Sequence, residues 1–269
     1  MADDALTQAF RAHKLDWIVP AWDAPARVHA FMTTRNGGAS HGASASLDVG
    51  GAQPSNDAAD ATAITENRRR IVRWLPAPPV WLAQVHGRSV AIVDSGNRET
   101  MCATPAHADA LVTRETGVAL AIRVADCVPV LFAARDAPVI AAAHAGWRGL
   151  ATGVLEATLA AMRVPAESVV AWLGPSIGAN AFEVGDDVVA AFCDADADAS
   201  EHFRPQRHGK WLADLHALAR RRLRAAGMGS ARGDPSCTYG EPARFFSYRR
   251  DGATGRMAAL IWQQHPESD

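Results

Sequence analysis

The sequence predicts an α+β fold, a single domain of mixed β-sheets flanked by helices, and three observations point to it. The middle of the chain holds four short apolar runs separated by turn residues, "DALVT" (109–113), "GVALAIRV" (117–124), "VPVLFAA" (128–134) and "PVIAAAHA" (138–145). Runs of this length with branched and small residues read as strands, and four in succession suggest one central mixed sheet. Near the C-terminal end, "WLADLHALARRRLRAAG" (211–227) has helical spacing, with Leu212, Leu215, Leu218 and Leu223 inward and Gly227 as the stop signal. No proline-rich linker or compositional break divides the 269 residues, so the domain is expected to run over 1–269.

The remaining elements follow in chain order. "VHAFMTT" (28–34) reads as a strand, and the stretch from Arg35 to Thr62, rich in Gly, Ser, Ala and Asp, as a long loop. A loop of that length inside a compact domain is either a surface insertion or a functional segment. "ENRRRIVRWL" from Glu66 reads as a helix, and "PVWLAQV" as a strand ending at His86-Gly87. "LATGVLEATLAAM" (150–162) has helical spacing without an internal proline, "VVAWLG" (169–174) returns to strand, and "DDVVAAFCDADADASEHF" is a helix running into an acidic loop. "RFFSYRR", the turn "DGATG" and "RMAALIW" read as a closing hairpin.

Composition narrows the function classes. A formal charge of -2 with Lys and Arg spread along the chain makes no case for nucleic acid or an anionic membrane surface. The start "MADDALTQAF" has no basic region followed by an apolar run, and no stretch of about 18 apolar residues occurs. A cytoplasmic protein with a small-molecule partner is expected. Cys102, Cys127, Cys193 and Cys237 form no CxxC pair, so a cysteine that matters acts singly, with partners brought by the fold.

The chemistry concentrates in "VADCVPVLFAARDAPVIAAAHAGWRG" (124–149), where Cys127 and His144 stand in apolar surroundings, and in "QVHG", where His86 precedes a glycine. Two imidazoles and one soft thiolate suit Zn²⁺, and three protein ligands leave a fourth position open, as in a catalytic site. Cys127 and His144 also fit a nucleophile and its base, or satisfied core residues. Copper in the multicopper manner is poorly supported: such clusters draw on many histidines, commonly in His-x-His pairs, and none of the ten histidines here is two positions from another. "HAGWRGL" could receive a phosphate at the start of a helix near Leu150, with Arg148 beside it and Trp147 as a plug or a stacking surface. Arg35 and Arg249 are further candidates for binding an anionic substrate, and Asp126 is a candidate proton donor that points away if its strand is regular.

Nine blocks in order resemble the YfiH-like laccase-domain family, whose members are variously named multicopper polyphenol oxidases and purine nucleoside phosphorylases. They are "TTRNGGAS" with "SLDVG", "ENRRR", "WLAQVHG", "ADALVT", "ADCVPVLF", "AAAHAGWRGLATGVLE", "AWLGPSIGANAFEVG", "GKWLADLHALARRRL" and "CTYGEPARFFSYRRDGATGRMAALIW", within about residues 28–263. The resemblance implies zinc ligands at His86, Cys127 and His144, and an α+β fold similar to the catalytic domain of a bacterial deamidating toxin. It also implies phosphorolysis of adenosine, inosine, guanosine and methylthioadenosine to base and ribose 1-phosphate, with adenosine deamination. Amide hydrolysis in peptidoglycan-precursor editing, copper-dependent polyphenol oxidation and a non-catalytic zinc-stabilised binding module are the alternatives. Where the family commonly has Gly-Pro-Tyr and Ser-Leu-Asn in its Gly-rich loop, this chain has Gly42-Ala43-Ser44 and Ser46-Leu47-Asp48.

Overall fold

The computed structural model describes residues 2–51 and 57–264, and the side chains from Ala5 onward. In chain order the helices are α1 (Ala2–Ala12), α2 (Ala58–Val72), α3 (Arg98–Ala103), α4 (Trp147–Thr152), α5 (Val154–Met162), α6 (Asp186–Cys193), α7 (Leu215–Ala225) and α8 (Tyr248–Asp251). The strands are β1 (Val28–Met32), β2 (Val90–Val93), β3 (Ala110–Thr113), β4 (Ala119–Val124), β5 (Val128–Ala134), β6 (Ile140–Ala145), β7 (Val169–Leu173), β8 (Glu183–Gly185), β9 (Phe203–Pro205), β10 (Lys210–Ala213), β11 (Ser230–Gly233) and β12 (Met257–Gln263). The class is α+β, as expected from the sequence. No described helix is long and apolar enough to cross a membrane.

The four apolar runs are four strands, but they do not share one sheet. β3, β5 and β6 lie in a six-stranded mixed sheet of order β11-β7-β5-β6-β3-β2, whereas β4 belongs to a three-stranded antiparallel sheet, β1-β12-β4. A small third sheet, β8-β10-β9, lies apart. Side-chain alternation explains why the runs look alike in sequence. On β5, Val128, Val130 and Phe132 face the helices α5 and α7 while Leu131 and Ala133 face the second sheet. On β4, Leu120, Ile122 and Val124 face the large sheet, and Ala119 and Ala121 face a third cluster built on Phe10, Trp17, Phe31, Leu47 and Ile71. Strands buried on both faces show no polar alternation, so periodicity cannot assign them to sheets. The chain changes sheets between Val124 and Val128, through Ala125-Asp126-Cys127.

Several local expectations are corrected. "PVWLAQV" is not a strand: Val80 forms an isolated bridge to Leu120, and then the side chain of Gln84 replaces a ladder pair. Its Oε1 accepts from the Arg123 N–H at 2.9 Å and its Nε2 donates to the Arg123 carbonyl at 2.9 Å. The segment thereby covers the edge of β4 that β12 leaves open. Helix α2 starts eight residues before Glu66, because Asp57 caps it by accepting from Ala59 and Asp60. The helix expected over 150–162 is two helices, broken at Gly153, whose φ of +98° puts it in the left-handed region. "WLA" belongs to β10, so α7 begins only at Leu215, capped by Asp214, and Leu212 pairs in the small sheet instead of joining the helix face. No hairpin closes the chain: "SYRR" turns into α8, and β12 pairs with β1 and β4.

The Gly-rich stretch is not a loose insertion in its described part, while residues 52–56 of the expected loop lie outside the described residues. Asn67, fully buried on α2, accepts from the Ala39 N–H at 2.7 Å and places Nδ2 at 2.9 Å from Ser40 Oγ and 2.8 Å from the Asp48 carbonyl. Arg35 ties the same loop from within, through its Nε to the Ala45 carbonyl. Replacing Asn67 with Ala strands several buried partners, each worth about 1–3 kcal/mol when left unpaired. We expect Asn67→Ala to lower the unfolding free energy in denaturant titration by about 3 kcal/mol. A change under about 0.5 kcal/mol, the size of a surface substitution, would contradict this.

Candidate metal and substrate site

Three separate segments meet where the two larger sheets part company. His86 comes from the segment along the β4 edge, Cys127 from the crossover between sheets, and His144 from the end of β6. Their ligand atoms all lie within 4.8 Å of one another, and the two imidazoles cross edge to face with centroids 4.8 Å apart. Among the described residues this is the one group of three or more His, Cys, Asp or Glu side chains arranged to hold a metal ion.

Each ligand is set by a backbone constraint. His86 has φ +60° and Asp126 φ +89°, left-handed conformations that a regular strand could not supply. His86 therefore does not end a strand but stands on a tight turn. That turn hangs on Asp109, a fully buried carboxylate just before β3. Asp109 accepts from the N–H groups of Val85 (3.2 Å), His86 (2.9 Å) and Gly87 (2.7 Å), and from His144 Nδ1 at 2.8 Å. The register of β3 against β6 brings it there, since Ala110 pairs with Ala143 and the His144 N–H donates to the Asp109 carbonyl at 2.7 Å. Gly146 completes the cradle: a Cβ at that position would stand 2.9 Å from Cys127 Sγ and 3.2 Å from His86 Cδ2.

The donor set and the cradle fit a single metal ion. Electrostatics prepare the same groups. Burial alone would push the Cys127 thiol up, but the charge of His144 and hydrogen bonds from His144 and His86 outweigh it and bring it to about 6. Burial would push His144 down, yet the Cys127 thiolate and the Asp109 hydrogen bond raise it to about 9. Burial likewise works to raise Asp109, and its bonds from His144 and the turn amides prevail, leaving it below the usual carboxylate range.

The site opens into a cavity of about 540 Å³, within the range of small-molecule pockets. Its wall includes Arg123, Arg148, Arg249 and Arg256, with Trp147, Phe182 and Tyr248 as aromatic surfaces. Arg148 rests on Trp147 with its guanidinium carbon 4.4 Å from the ring centroid, and Arg249 lies 5.2 Å from that of Phe182. Arg123 is buried, and burial together with Arg68 and Arg256 lowers it to about 10, with Asp48 pulling the other way. Among the described residues Asp126 is the one carboxylate in this wall, and it is engaged: it accepts from Thr238 Oγ1 at 2.6 Å, Ser247 Oγ at 3.0 Å and the Arg249 N–H at 2.7 Å. The cavity is thus cationic.

Of the residues singled out in the sequence, the structure brings together His86, Cys127, His144, Arg148, Arg249 and Asp126, the last with its carboxylate spent on the fold. Arg35 is not in this wall. Its guanidinium donates to the Ala45 and Pro242 carbonyls and lies over Phe246 at 4.6 Å. The helix after "HAG" starts at Trp147, three residues before the expected start near Leu150, so Arg148 lies in its first turn. Sequence inspection missed Asp109, Arg123, Arg256 and Gly146. An acid standing directly before the apolar run "ALV" was the available signal for Asp109.

The chain is similar to known proteins over most of its length. The family model described as multi-copper polyphenol oxidoreductase laccase matches residues 29–264. A Pseudomonas aeruginosa protein named a purine nucleoside phosphorylase is 46% identical over 249 residues, covering 92% of this chain and 98% of the relative. An Escherichia coli protein of the same name is 45% identical over 251 residues, covering 91% and 98%. Among solved structures, a Neisseria meningitidis protein superposes with a TM-score of 0.86 at 45% identity, covering 93% of this chain and all of that one. YlmD from Geobacillus stearothermophilus gives 0.81 at 34% identity, covering 91% and 97%.

Because Gly146 leaves room for Cys127 and His86, Gly146→Ala should reduce stoichiometric Zn²⁺ binding, measured on the metal-loaded protein by mass spectrometry, while the far-ultraviolet circular dichroism stays unchanged. Full metal binding in this variant would show that the cradle does not depend on the missing side chain.

Proposed function

The chain belongs to the multi-copper polyphenol oxidoreductase laccase family, and from that premise we propose that it is a zinc-dependent purine nucleoside phosphorylase that also deaminates adenosine. The observation that carries the reading is a three-ligand His-Cys-His group opening into a cavity lined by four arginines and three aromatic rings. A reaction between a nucleoside and phosphate needs an anion seat beside a stacking surface, and arginines next to aromatic rings are the groups that would provide them. The names of the relatives at 45–46% identity point the same way.

His86, Cys127 and His144 would hold the zinc, with one position left open. Zinc bound there supplies a Lewis acid for an oxygen of phosphate or of water. Arg148, over the Trp147 ring, would bind and orient phosphate, and Arg249 and Arg256 add positive charge along the same wall. Trp147, Phe182 and Tyr248 offer apolar surface to a purine and exclude water from around it. Asp126 does not serve as the proton donor in this reading, since three hydrogen bonds hold its carboxylate.

One observation favours a second reading. Cys127, His144 and Asp109 form a thiolate, imidazolium and orienting carboxylate in series, the layout of a cysteine nucleophile with its base. A multicopper oxidase mechanism has less support, because the described residues hold one three-residue group and no second one.

Incubating zinc-loaded protein with adenosine and phosphate should yield adenine and ribose 1-phosphate, with hypoxanthine or inosine from deamination. A strong chelator should abolish turnover and Zn²⁺ restore it, whereas persistent activity in metal-free protein together with inactivation by thiol alkylation would favour the nucleophile. Release of amino acid from a cell-wall precursor, without nucleoside turnover, would favour the amidase alternative. Arg148→Ala should raise KM for phosphate about tenfold, equivalent to about 1.4 kcal/mol, and leave deamination nearly unchanged. Equal loss of both activities would contradict the phosphate role.

A further inference from the structure

We propose that Asp109 is a positioning residue that sets the placement of both imidazoles in the metal site and the tautomer of His144. The inference rests on the metal reading of His86, Cys127 and His144. One carboxylate oxygen serves both histidines: Oδ1 accepts from the backbone N–H of His86 at 2.9 Å and from the imidazole Nδ1 of His144 at 2.8 Å. Oδ2 accepts from the N–H groups on either side of His86, those of Val85 at 3.2 Å and Gly87 at 2.7 Å.

Three consecutive amides converge on one anion because His86 is in the left-handed conformation, which folds the turn into a concave nest. Without a negative group in it, such a nest leaves three N–H donors facing each other, and the His86 turn loses its reason to stay closed. The carboxylate is fully buried and its backbone pairs with His144, so it cannot drift relative to β6. His144 sits in β6, which pairs with β3 and β5, whereas the His86 segment has no strand pairing to β6, and Asp109 is the part that both contact.

The bond to Nδ1 also decides which nitrogen of His144 is offered. An acceptor at Nδ1 keeps the proton there and leaves the Nε2 lone pair for a metal on the Cys127 side. An amide at position 109 cannot reproduce this. With its NH₂ toward the turn it meets N–H donors head on; with its NH₂ toward His144 it donates to Nδ1, drives the proton to Nε2 and hides the ligating lone pair.

The test compares Asp109→Asn with the unmodified protein in chelator-competition titrations of Zn²⁺, with circular dichroism and thermal melting of the metal-free forms as a check on folding. A folded Asn variant should bind Zn²⁺ about 10- to 100-fold more weakly. Equal affinity in a folded variant overturns the proposal. A second measurement needs no variant: in the unmodified, ¹⁵N-labelled, Zn²⁺-loaded protein, His144 should carry an exchange-protected proton on Nδ1 and a metal-induced shift on Nε2. Metal on Nδ1, or Nδ1 without a proton, overturns the proposal whether or not the variant folds. Failure of the unmodified protein to bind Zn²⁺ at all would sink the metal reading, and this inference with it, a result distinct from equal affinities.

Discussion

The site depends on one buried carboxylate and its four donors. Burying Asp109 without partners would be costly, and the fold meets that cost with three turn amides and an imidazole. The consequence is geometric. A turn that has no strand to pair with is nevertheless held against β3 and β6, and His86 is fixed beside His144. Cys127 arrives independently, on the crossover that carries the chain from one sheet to the other, where Asp126 is secured by Thr238, Ser247 and the Arg249 amide. Two buried aspartates, one behind the histidines and one behind the cysteine, thus do the structural work that leaves three ligands convergent.

That division of labour also explains the character of the cavity. Among the described residues Asp126 is the one carboxylate in the wall and its oxygens are taken by Thr238, Ser247 and the Arg249 amide, while Asp48 offsets part of the charge on Arg123, so arginines outnumber carboxylates around the cavity. A wall with an excess of positive charge favours anions. The aromatic rings beneath Arg148 and Arg249 hold those guanidinium groups in place and present apolar surface next to them. Guanidinium groups and aromatic rings are therefore paired in one wall.

Much of this was legible in the sequence, and the parts that were not have physical reasons. His86, Cys127 and His144 stand out because thiol and imidazole groups are out of place in apolar runs, and the structure brings them together. The strands of the middle region could be read, but not their distribution between two sheets, since burial on both faces erases the alternation that would separate β4 from β5. "PVWLAQV" looks like a strand because it does lie along one; Gln84 substitutes a side-chain amide for the backbone ladder, which no periodicity reveals. The break at Gly153 and the early start of α2 turn on a single left-handed glycine and a single capping aspartate. Arg35 read as a substrate ligand because it stands at a Gly-rich loop, but it donates to that loop's Ala45 carbonyl and to the Pro242 carbonyl. Asp109 was overlooked because a lone acid before a strand resembles a turn residue until its burial is known.

The central claim, that this fold assembles one mononuclear site from two imidazoles and one thiolate, is tested most directly by X-ray absorption at the zinc edge on protein loaded with one equivalent of Zn²⁺. The account predicts one sulfur at about 2.3 Å and two imidazole nitrogens at about 2.0–2.1 Å, with a light atom completing four-coordination. A first shell without sulfur, or with the nitrogen and oxygen scatterers of a loosely bound surface ion, would contradict it.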